Sequence, residues 1–289
     1  MTAAVKDGKP PIAICTLNVW RSAPLDDQPY TGGGASRQPL DFRRRALEGF
    51  FETYAPQVDV FATQECTEAM HEVVFGKLRE LGFGALDTAG INQERVYFKR
   101  RRISVAQSSE RLLVGGLGDS NHATFCVLVV DGRHRFGLAN THLSWQGGGW
   151  DAVAGPRGGN PRFAQMADIV QNVPDEPVVV IAGDLNDVYA PIRVARDGLG
   201  MLPCFAALGR PSPATFPTPG SCPVVWDCDN FAEKTYDWIL SRGVRVVSAA
   251  RIDYNIAGVY PSDHYPVMAT FDFDETVPDD KPSKIAKTA

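Results

Sequence analysis

The chain has 289 residues, of which 44% are apolar and 22% charged, with a net charge of −5. That apolar share supports a substantial core and excludes an intrinsically disordered or low-complexity protein. The acidic balance argues against dense non-specific binding of long duplex DNA, which calls for a basic surface.

The first ten residues carry no apolar run resembling a signal peptide, and no later run is long enough to span a bilayer, so a cytoplasmic enzyme is expected. Of six cysteines, Cys15, Cys66 and Cys126 sit in or beside apolar strand-like segments and read as buried reduced thiols. Cys204, Cys222 and Cys228 lie in a loop-rich region without Cys-x-x-Cys spacing, which disfavours structural zinc.

After a disordered leader over residues 1–10, Pro11 to Leu17 reads as a strand ending at Asn18. Residues 21–41, rich in Pro, Gly and Asp, read as a mobile loop. A helix follows with Leu47, Phe50, Phe51 and Tyr54 on one face, opened by Arg43, Arg44 and Arg45. Three cations at a helix start oppose its dipole; they read as a solvated run, with a partner anion as the alternative.

Val58 to Thr63 is the next strand and ends in Gln64-Glu65; a helix carrying Met70, Val73, Val74, Leu78 and Leu81 comes after it. Arg95–Phe98 and Ile103–Val105 read as paired strands around the basic run Lys99 to Arg102. Thr124–Val130 and Arg135–Asn140 form a hairpin across Asp131-Gly132, and the second strand ends in His142. A Gly-rich loop (147–160) precedes a helix bearing Phe163, Met166, Ile169 and Val170.

Val178-Val179-Val180-Ile181 has the unbroken β-branched character of a strand buried on both faces, and it delivers Gly183-Asp184-Leu185-Asn186-Asp187 into a turn. Residues 190–235 read as irregular and Pro-rich. Tyr236–Leu240 and Val244–Val247 read as another hairpin, and a last strand from Pro266 to Phe273 follows Ser262-Asp263-His264. A single domain over residues 11–274 fits, with the charged residues 275–289 as a second disordered tail.

The chemistry lies in a joint pattern. Five strands end in residues suited to metal or phosphate chemistry: Asn18, Gln64-Glu65, His142, Asp184-x-Asn186 and Asp263-His264. Each alone has a plain structural reading, since Asp, Asn and Gly are ordinary turn formers and a lone histidine beside a core strand is usually satisfied there. Together they suit hydrolytic phosphoryl transfer. Hard oxygen ligands such as Glu65 and Asp263 favour Mg²⁺ or Mn²⁺. Asp184 is placed to orient or deprotonate water, and a donor histidine stabilises phosphoryl oxygens. Asp237 lies inside an apolar strand, and a buried carboxylate needs a partner, for which His264 is available.

Thr16-Leu17-Asn18-Val19-Trp20, Gln64-Glu65, Thr141-His142-Leu143, Gly183-Asp184-Leu185-Asn186, Tyr236-Asp237-Trp238-Ile239-Leu240 and Ser262-Asp263-His264-Tyr265-Pro266 occur in one order. In that order they resemble the endonuclease/exonuclease/phosphatase superfamily. The resemblance implies a four-layer α/β/β/α sandwich of two mixed sheets flanked by helices, with the site at one edge between the sheets. It implies that Glu65 binds the divalent metal with Asn18 and Asp263 close to it, and that His142 contacts the scissile phosphate. It further implies that Asp184 manages the attacking water, Asn186 holds the phosphate, and Asp237 fixes the tautomer of a phosphate-binding His264. Lys234-Thr235-Tyr236-Asp237-Trp238 stands where that family often has Arg-x-Asp-Tyr.

The expected function is a Mg²⁺-dependent (Mn²⁺ as the alternative ion) phosphoesterase acting on a phosphodiester in a short nucleic acid or small molecule. The alternatives are a phosphatase for a small phosphomonoester and a catalytically silent binding module on the same scaffold. Trp145, Trp150 and Arg162 are the candidate substrate contacts, the tryptophans by stacking on a base or headgroup. A monomer is expected.

Overall fold

A computed structural model describes residues 10–20, 40–87, 93–114, 121–145, 160–219 and 233–274. The strands are β1 (Ile12–Asn18), β2 (Val60–Gln64), β3 (Phe83–Ala85), β4 (Arg95–Lys99), β5 (Ile103–Leu112), β6 (His122–Val130), β7 (His134–His142), β8 (Val179–Asp184), β9 (Leu202–Pro203), β10 (Asp237–Arg242), β11 (Arg245–Arg251) and β12 (Val267–Asp272). The helices are α1 (Leu40–Tyr54), α2 (Glu68–Glu80), α3 (Pro161–Asn172), α4 (Ala190–Leu199) and α5 (Cys204–Ala207). Two mixed six-stranded sheets result, in the orders β11-β12-β1-β2-β4-β3 and β5-β6-β7-β8-β10-β9.

The period of two along each strand explains the layers. Ile12 and Ile14 of β1, Leu138 of β7, Val180 and Ala182 of β8 and Ile239 of β10 face inward and form the core between the sheets. The alternate residues face outward. Cys15 and Leu17 pack with Leu47, Phe50 and Phe51 of α1 and Val74 and Leu78 of α2. Val179 and Ile181 pack with Met166 and Ile169 of α3 and Ala195 of α4. This is the α/β/β/α sandwich the motifs implied, and both faces of the central strands are covered, hence their unbroken apolar runs.

Two expected hairpins do not form. β4 pairs with β2 and β3, whereas β5 pairs with β6 in the other sheet. Likewise β10 pairs with β8 and β9, whereas β11 pairs with β12. In both places the chain crosses between the sheets through a short turn, and sequence proximity alone does not distinguish a crossing from a hairpin. The hairpin of β6 and β7 does form, with Asp131 (φ 51°) and Gly132 (φ 72°) turning it.

The segment expected to be irregular after residue 190 contains α4. Pro191 falls in the first helical turn, where its missing N–H costs nothing. The Asp187 carboxylate accepts from the N–H groups of Tyr189 and Ala190 at 2.7 and 3.1 Å, and Gly200 ends the helix at φ 69°. Of the loop expected over 21–41, residues 21–39 lie outside the described residues and 40–41 already belong to α1. Cys15, Cys66, Cys126 and Cys204 are buried free thiols, as expected for the first three; Cys222 and Cys228 lie outside the described residues.

The basic run does not face the strand ends that carry the polar motifs. Lys99 is buried, donating to Pro56 O at 3.0 Å. Arg102 lies at the other end of β2, bonded to Asp59, Asp131 and the carbonyls of Pro10 and Pro11. Breaking so enclosed a charge cluster strands Asp59. Arg102→Met is therefore expected to lower the unfolding free energy by about 3 kcal/mol in urea titrations while leaving kcat within about twofold.

Candidate active site

The same inward columns that build the core become polar toward one edge. Above the apolar layer, Gln64 donates to Asn140 Oδ1 at 2.7 Å and to Thr16 Oγ1 at 3.0 Å. Asn140 in turn donates to the carbonyls of Thr63 and Arg95, at 2.9 and 2.8 Å. This buried bracket ties β1, β2 and β4 to β7 across the two sheets, and its satisfied bonds hold the next layer rigidly.

One further step along each column come Asn18, His142, Asp184 and Asp237. Register places His142 opposite Asp184 and Asp184 opposite Asp237, so three chemical groups stand in one row across β7, β8 and β10. Beyond the row the backbone turns abruptly. Trp20 (φ 56°), Glu65 (φ 56°) and Asn186 (φ 48°) are all left-handed non-glycine residues, and they follow the ends of β1, β2 and β8. Each such residue costs on the order of 1–3 kcal/mol, and clustering of strain of this kind is a mark of functional loops. Side-chain bonds support two of the turns. Asn18 Oδ1 accepts from Trp20 N at 2.9 Å, and Asp184 Oδ1 accepts from Asn186 N at 2.9 Å.

Asp184 is the hub. Its Oδ2 accepts from Asn18 Nδ2 at 3.0 Å and lies 3.6 Å from the Nε2 atoms of both His142 and His264. Those two gaps are too long for hydrogen bonds, so each imidazole keeps its Nε2 for a reacting molecule or a neighbour. His142 Nε2 is 2.9 Å from the amide nitrogen of Asn186, which also donates to Leu143 O. His264 turns its other nitrogen, Nδ1, to Asp237 Oδ2 at 2.8 Å. This is the pairing that the apolar setting of Asp237 required.

Burial alone would depress His264, but the carboxylates of Asp237, Asp184 and Asp263 outweigh it and hold the imidazole well above its usual pKa. Burial pushes the Asp237 carboxyl up, and the adjacent imidazolium pulls it back. The shared proton therefore rests on the histidine, leaving Nε2–H as a charged donor aimed toward Asp184.

Glu65 and Asp263 lie on the β1–β2 side of this row. Asn18 Nδ2 also donates to Glu65 Oε1 at 3.2 Å, so a single amide braces both Glu65 and Asp184. Asp263 is pushed up to about 6, by burial first and then by the nearby Glu65 charge, against the pull of His264 and Arg43. Two carboxylates close together at a half-buried edge, with neutral amides around them, are a donor set of hard oxygens that a divalent cation satisfies. Among the described residues, Asp184, Asp237 and His264 also bring ligand-type atoms within 4.8 Å of one another. In that trio the Asp237 Oδ2 and His264 Nδ1 atoms are already bonded to each other, which leaves it better suited to proton handling than to holding an ion.

Arg43 departs from the solvated run expected for Arg43, Arg44 and Arg45. It is buried rather than solvated, and it donates to the carbonyls of Val19, Trp20 and Pro261 while lying 5.2 Å over the Trp20 ring. It thereby clamps the end of β1 to the loop that carries Asp263. Ser262 adds a second clamp, donating to Asn18 O at 2.6 Å and accepting from His264 N at 3.2 Å. The signal for Arg43 was the unfavourable position of a cation in the first turns of α1. Arg43→Met is expected to reduce kcat by at least about tenfold and to cost about 2 kcal/mol of stability, as read from steady-state kinetics and thermal unfolding.

Of the three candidate substrate contacts, Trp145 is exposed and Trp150 lies outside the described residues. Arg162 is only 7% exposed and acts as a brace, bonding Asn160 Oδ1 at 3.3 Å and Trp145 O at 3.2 Å, with Asp187 Oδ2 at 4.0 Å. Asn160 completes the brace by donating to Asp187 Oδ2 at 2.7 Å.

Comparison with solved structures finds similar folds. D. rerio TDP2 complexed with single strand DNA product is 18% identical, with 90% of this chain and 98% of that chain covered and a TM-score of 0.65. The human nocturnin catalytic domain with bound sulfate anion is 18% identical, covering 91% and 95%, with a TM-score of 0.64. The mannosyl-6-phosphatase Bt3783 of Bacteroides thetaiotaomicron is 12% identical, covering 91% and 100%, with a TM-score of 0.58. No curated protein matches the sequence. The sequence model of the Endonuclease/Exonuclease/phosphatase family matches residues 15–264, a span that opens inside β1 and closes on His264. Because the match runs over most of the chain and takes in the strand ends just described, the chain belongs to the Endonuclease/Exonuclease/phosphatase family and is a metal-dependent phosphoric ester hydrolase.

Proposed function

We propose that this enzyme hydrolyses a phosphodiester in a short nucleic acid or a small molecule, by in-line attack of water at the Asp184 row. The observation that carries this reading is the Asp184 carboxylate held 3.6 Å from two imidazole Nε2 atoms, those of His142 and His264, with the His264 ring held well above its usual pKa by the carboxylates around it. Asp184, fixed through Asn18 and the Asn186 N–H, accepts a proton from the attacking water or orients it. The His264 imidazolium, backed by Asp237, donates to a non-bridging oxygen as charge builds there. His142 and the Asn186 amide stand together on the opposite flank and contact the phosphate from that side.

Glu65 and Asp263 would hold a divalent ion, with Asn18 keeping Glu65 in place. Bound there, Mg²⁺ or Mn²⁺ supplies Lewis-acid polarisation of a phosphoryl oxygen and offsets leaving-group charge. The net charge of −5 supports a short or small substrate over long duplex DNA. Among the described residues no helix is long and apolar enough to cross a membrane. A monomer in solution remains part of the proposal.

The test compares a bis-aryl and a mono-aryl phosphate with Mg²⁺, with Mn²⁺ and with a chelator. Metal-dependent turnover of the diester, abolished by the chelator, is expected. Preferential turnover of the monoester would move the enzyme to the phosphatase reading, the activity named for the Bacteroides neighbour. Hydrolysis of neither would overturn the diesterase reading.

A further inference from the structure

Asp237 and His264 meet at 2.8 Å, yet different sheets carry them. Asp237 opens β10, whose ladder runs to β8 and β9. His264 stands three residues before β12, whose ladder runs to β1 and β11. No strand pairing therefore fixes the distance between the two side chains. A contact of this kind keeps its geometry only when other bonds lock both partners.

Residues 215–218, outside every strand and helix named above, supply such bonds on both flanks. Toward β10, Thr215 N donates to Lys234 O at 2.7 Å, and Lys234 N donates to Phe216 O at 2.8 Å. Toward β12, Tyr265 N donates to Thr215 O and Thr218 N donates to Asp263 O, both at 2.8 Å. Thr218 Oγ1 adds a bond to Ser262 O at 2.8 Å, and the Phe216 ring lies 4.8 Å from the His264 ring. The segment is a strap laid between the two halves of the pair.

Within the strap, Thr215 touches both halves with its own atoms. Its buried Oγ1 accepts from the N–H groups of Tyr236 and Asp237, each at 3.0 Å. With those two bonds accepted, the hydroxyl proton remains to be placed. Asp237 gives Oδ2 to the imidazole, and among the described residues its Oδ1 is buried with no hydrogen-bond partner. Burial pushes the Asp237 carboxyl up, and the His264 imidazolium and the Thr215 hydroxyl draw it back, against Asp184. A β-branched side chain has a stiff χ1, so the hydroxyl has little freedom to turn elsewhere.

We propose that Thr215 is a positioning residue for the reaction. Its hydroxyl holds Asp237 both by the backbone N–H and by Oδ1, its carbonyl holds the chain just beyond His264, and together they set the bond between Asp237 and His264. The inference rests on the reaction centre proposed above and names what keeps its carboxylate–imidazole pair aligned across the sandwich.

Nitrogen–proton NMR of the full chain with Mg²⁺ present reads the pair directly. The His264 Nδ1–H, bonded to a carboxylate, gives a downfield proton signal that is assigned by its absence from His264→Ala. Thr215→Val keeps the shape and removes the hydroxyl. In it that signal is expected to vanish into exchange with water, and kcat for metal-dependent ester hydrolysis to fall at least about tenfold with KM within about twofold. Thr215→Ser keeps the hydroxyl and should retain the signal, with kcat within about threefold of the unsubstituted value. A threonine that only supported the fold would lower the melting temperature of Thr215→Val but leave the signal and kcat of the folded protein as they were, and that result would overturn the proposal. The unsubstituted protein gives a second reading that needs no variant to fold. Its Thr215 hydroxyl proton is expected to exchange slowly enough to be observed, and rapid exchange with water would overturn the proposal as well. Loss of the Nδ1–H signal with hydrolysis unchanged would uphold the positioning and count against His264 in the proposed reaction.

Discussion

Asp184→Asn is expected to reduce metal-dependent hydrolysis by about 10³-fold or more, the size associated with losing both a general base and a fixed charge in a dry site. The carboxylate serves four neighbours at once: it accepts from Asn18 Nδ2, accepts from the Asn186 N–H, and faces the two imidazoles. An amide of the same shape keeps one accepting oxygen and turns an N–H₂ toward groups that are themselves donors. It cannot take a proton from water. The stability cost is modest, about 1–2 kcal/mol for one frustrated hydrogen bond, so circular dichroism should show an intact fold under assay conditions. His264→Ala should give a loss of similar order, and the double variant should be little worse than the poorer single one, because groups that act as a unit are not additive. Retention of more than about a tenth of the activity in Asp184→Asn would remove Asp184 from the reaction.

How much of this was legible beforehand depends on where the information sits. The polar strand ends were readable because a residue type and a period of two are local properties: once Val180 and Ala182 face inward, Asp184 must as well. Asp237 and His264 could be paired on burial alone, since a carboxylate in an apolar strand has few ways to be satisfied. What failed was everything that depends on which sheet a strand joins. The turns after Lys99 and after Arg242 look like hairpin turns, but they carry the chain across the sandwich. The choice is made by partners distant in sequence. Arg43 was misjudged for the same reason, as its acceptors lie on Val19, Trp20 and Pro261, and only the assembled fold brings them together. Asn140 was read as the end of a strand, although its bonds to Thr63 and Arg95 make it the tie between the sheets beneath the site.

Gly183→Ala tests the claim that the row is built by close approach of β7 to β8. Gly183 adopts φ 152°, and a Cβ added there would lie 1.9 Å from Thr141 O and 2.9 Å from Thr141 C. These are backbone atoms of the paired strand, so no rotamer change relieves the overlap. β7 would have to move by more than about an ångström, disrupting the ladder at the point where His142 faces Asp184 and Leu143 N donates to Asp184 O. A loss of at least about 4 kcal/mol is expected in urea unfolding, at the upper end of what one methyl group does, with any folded remainder inactive because His142 is displaced. Gly76→Ala is the opposite case: it lies within α2, and nothing stands within 4 Å of the added methyl. It should stabilise the protein by about 0.5–1 kcal/mol through the unfolded state. If Gly183→Ala unfolded no more readily than Gly76→Ala, the strands would not need their observed spacing. The glycine of Gly183-Asp184-Leu185-Asn186 would then be an ordinary turn residue rather than the contact that sets the distance between His142 and Asp184.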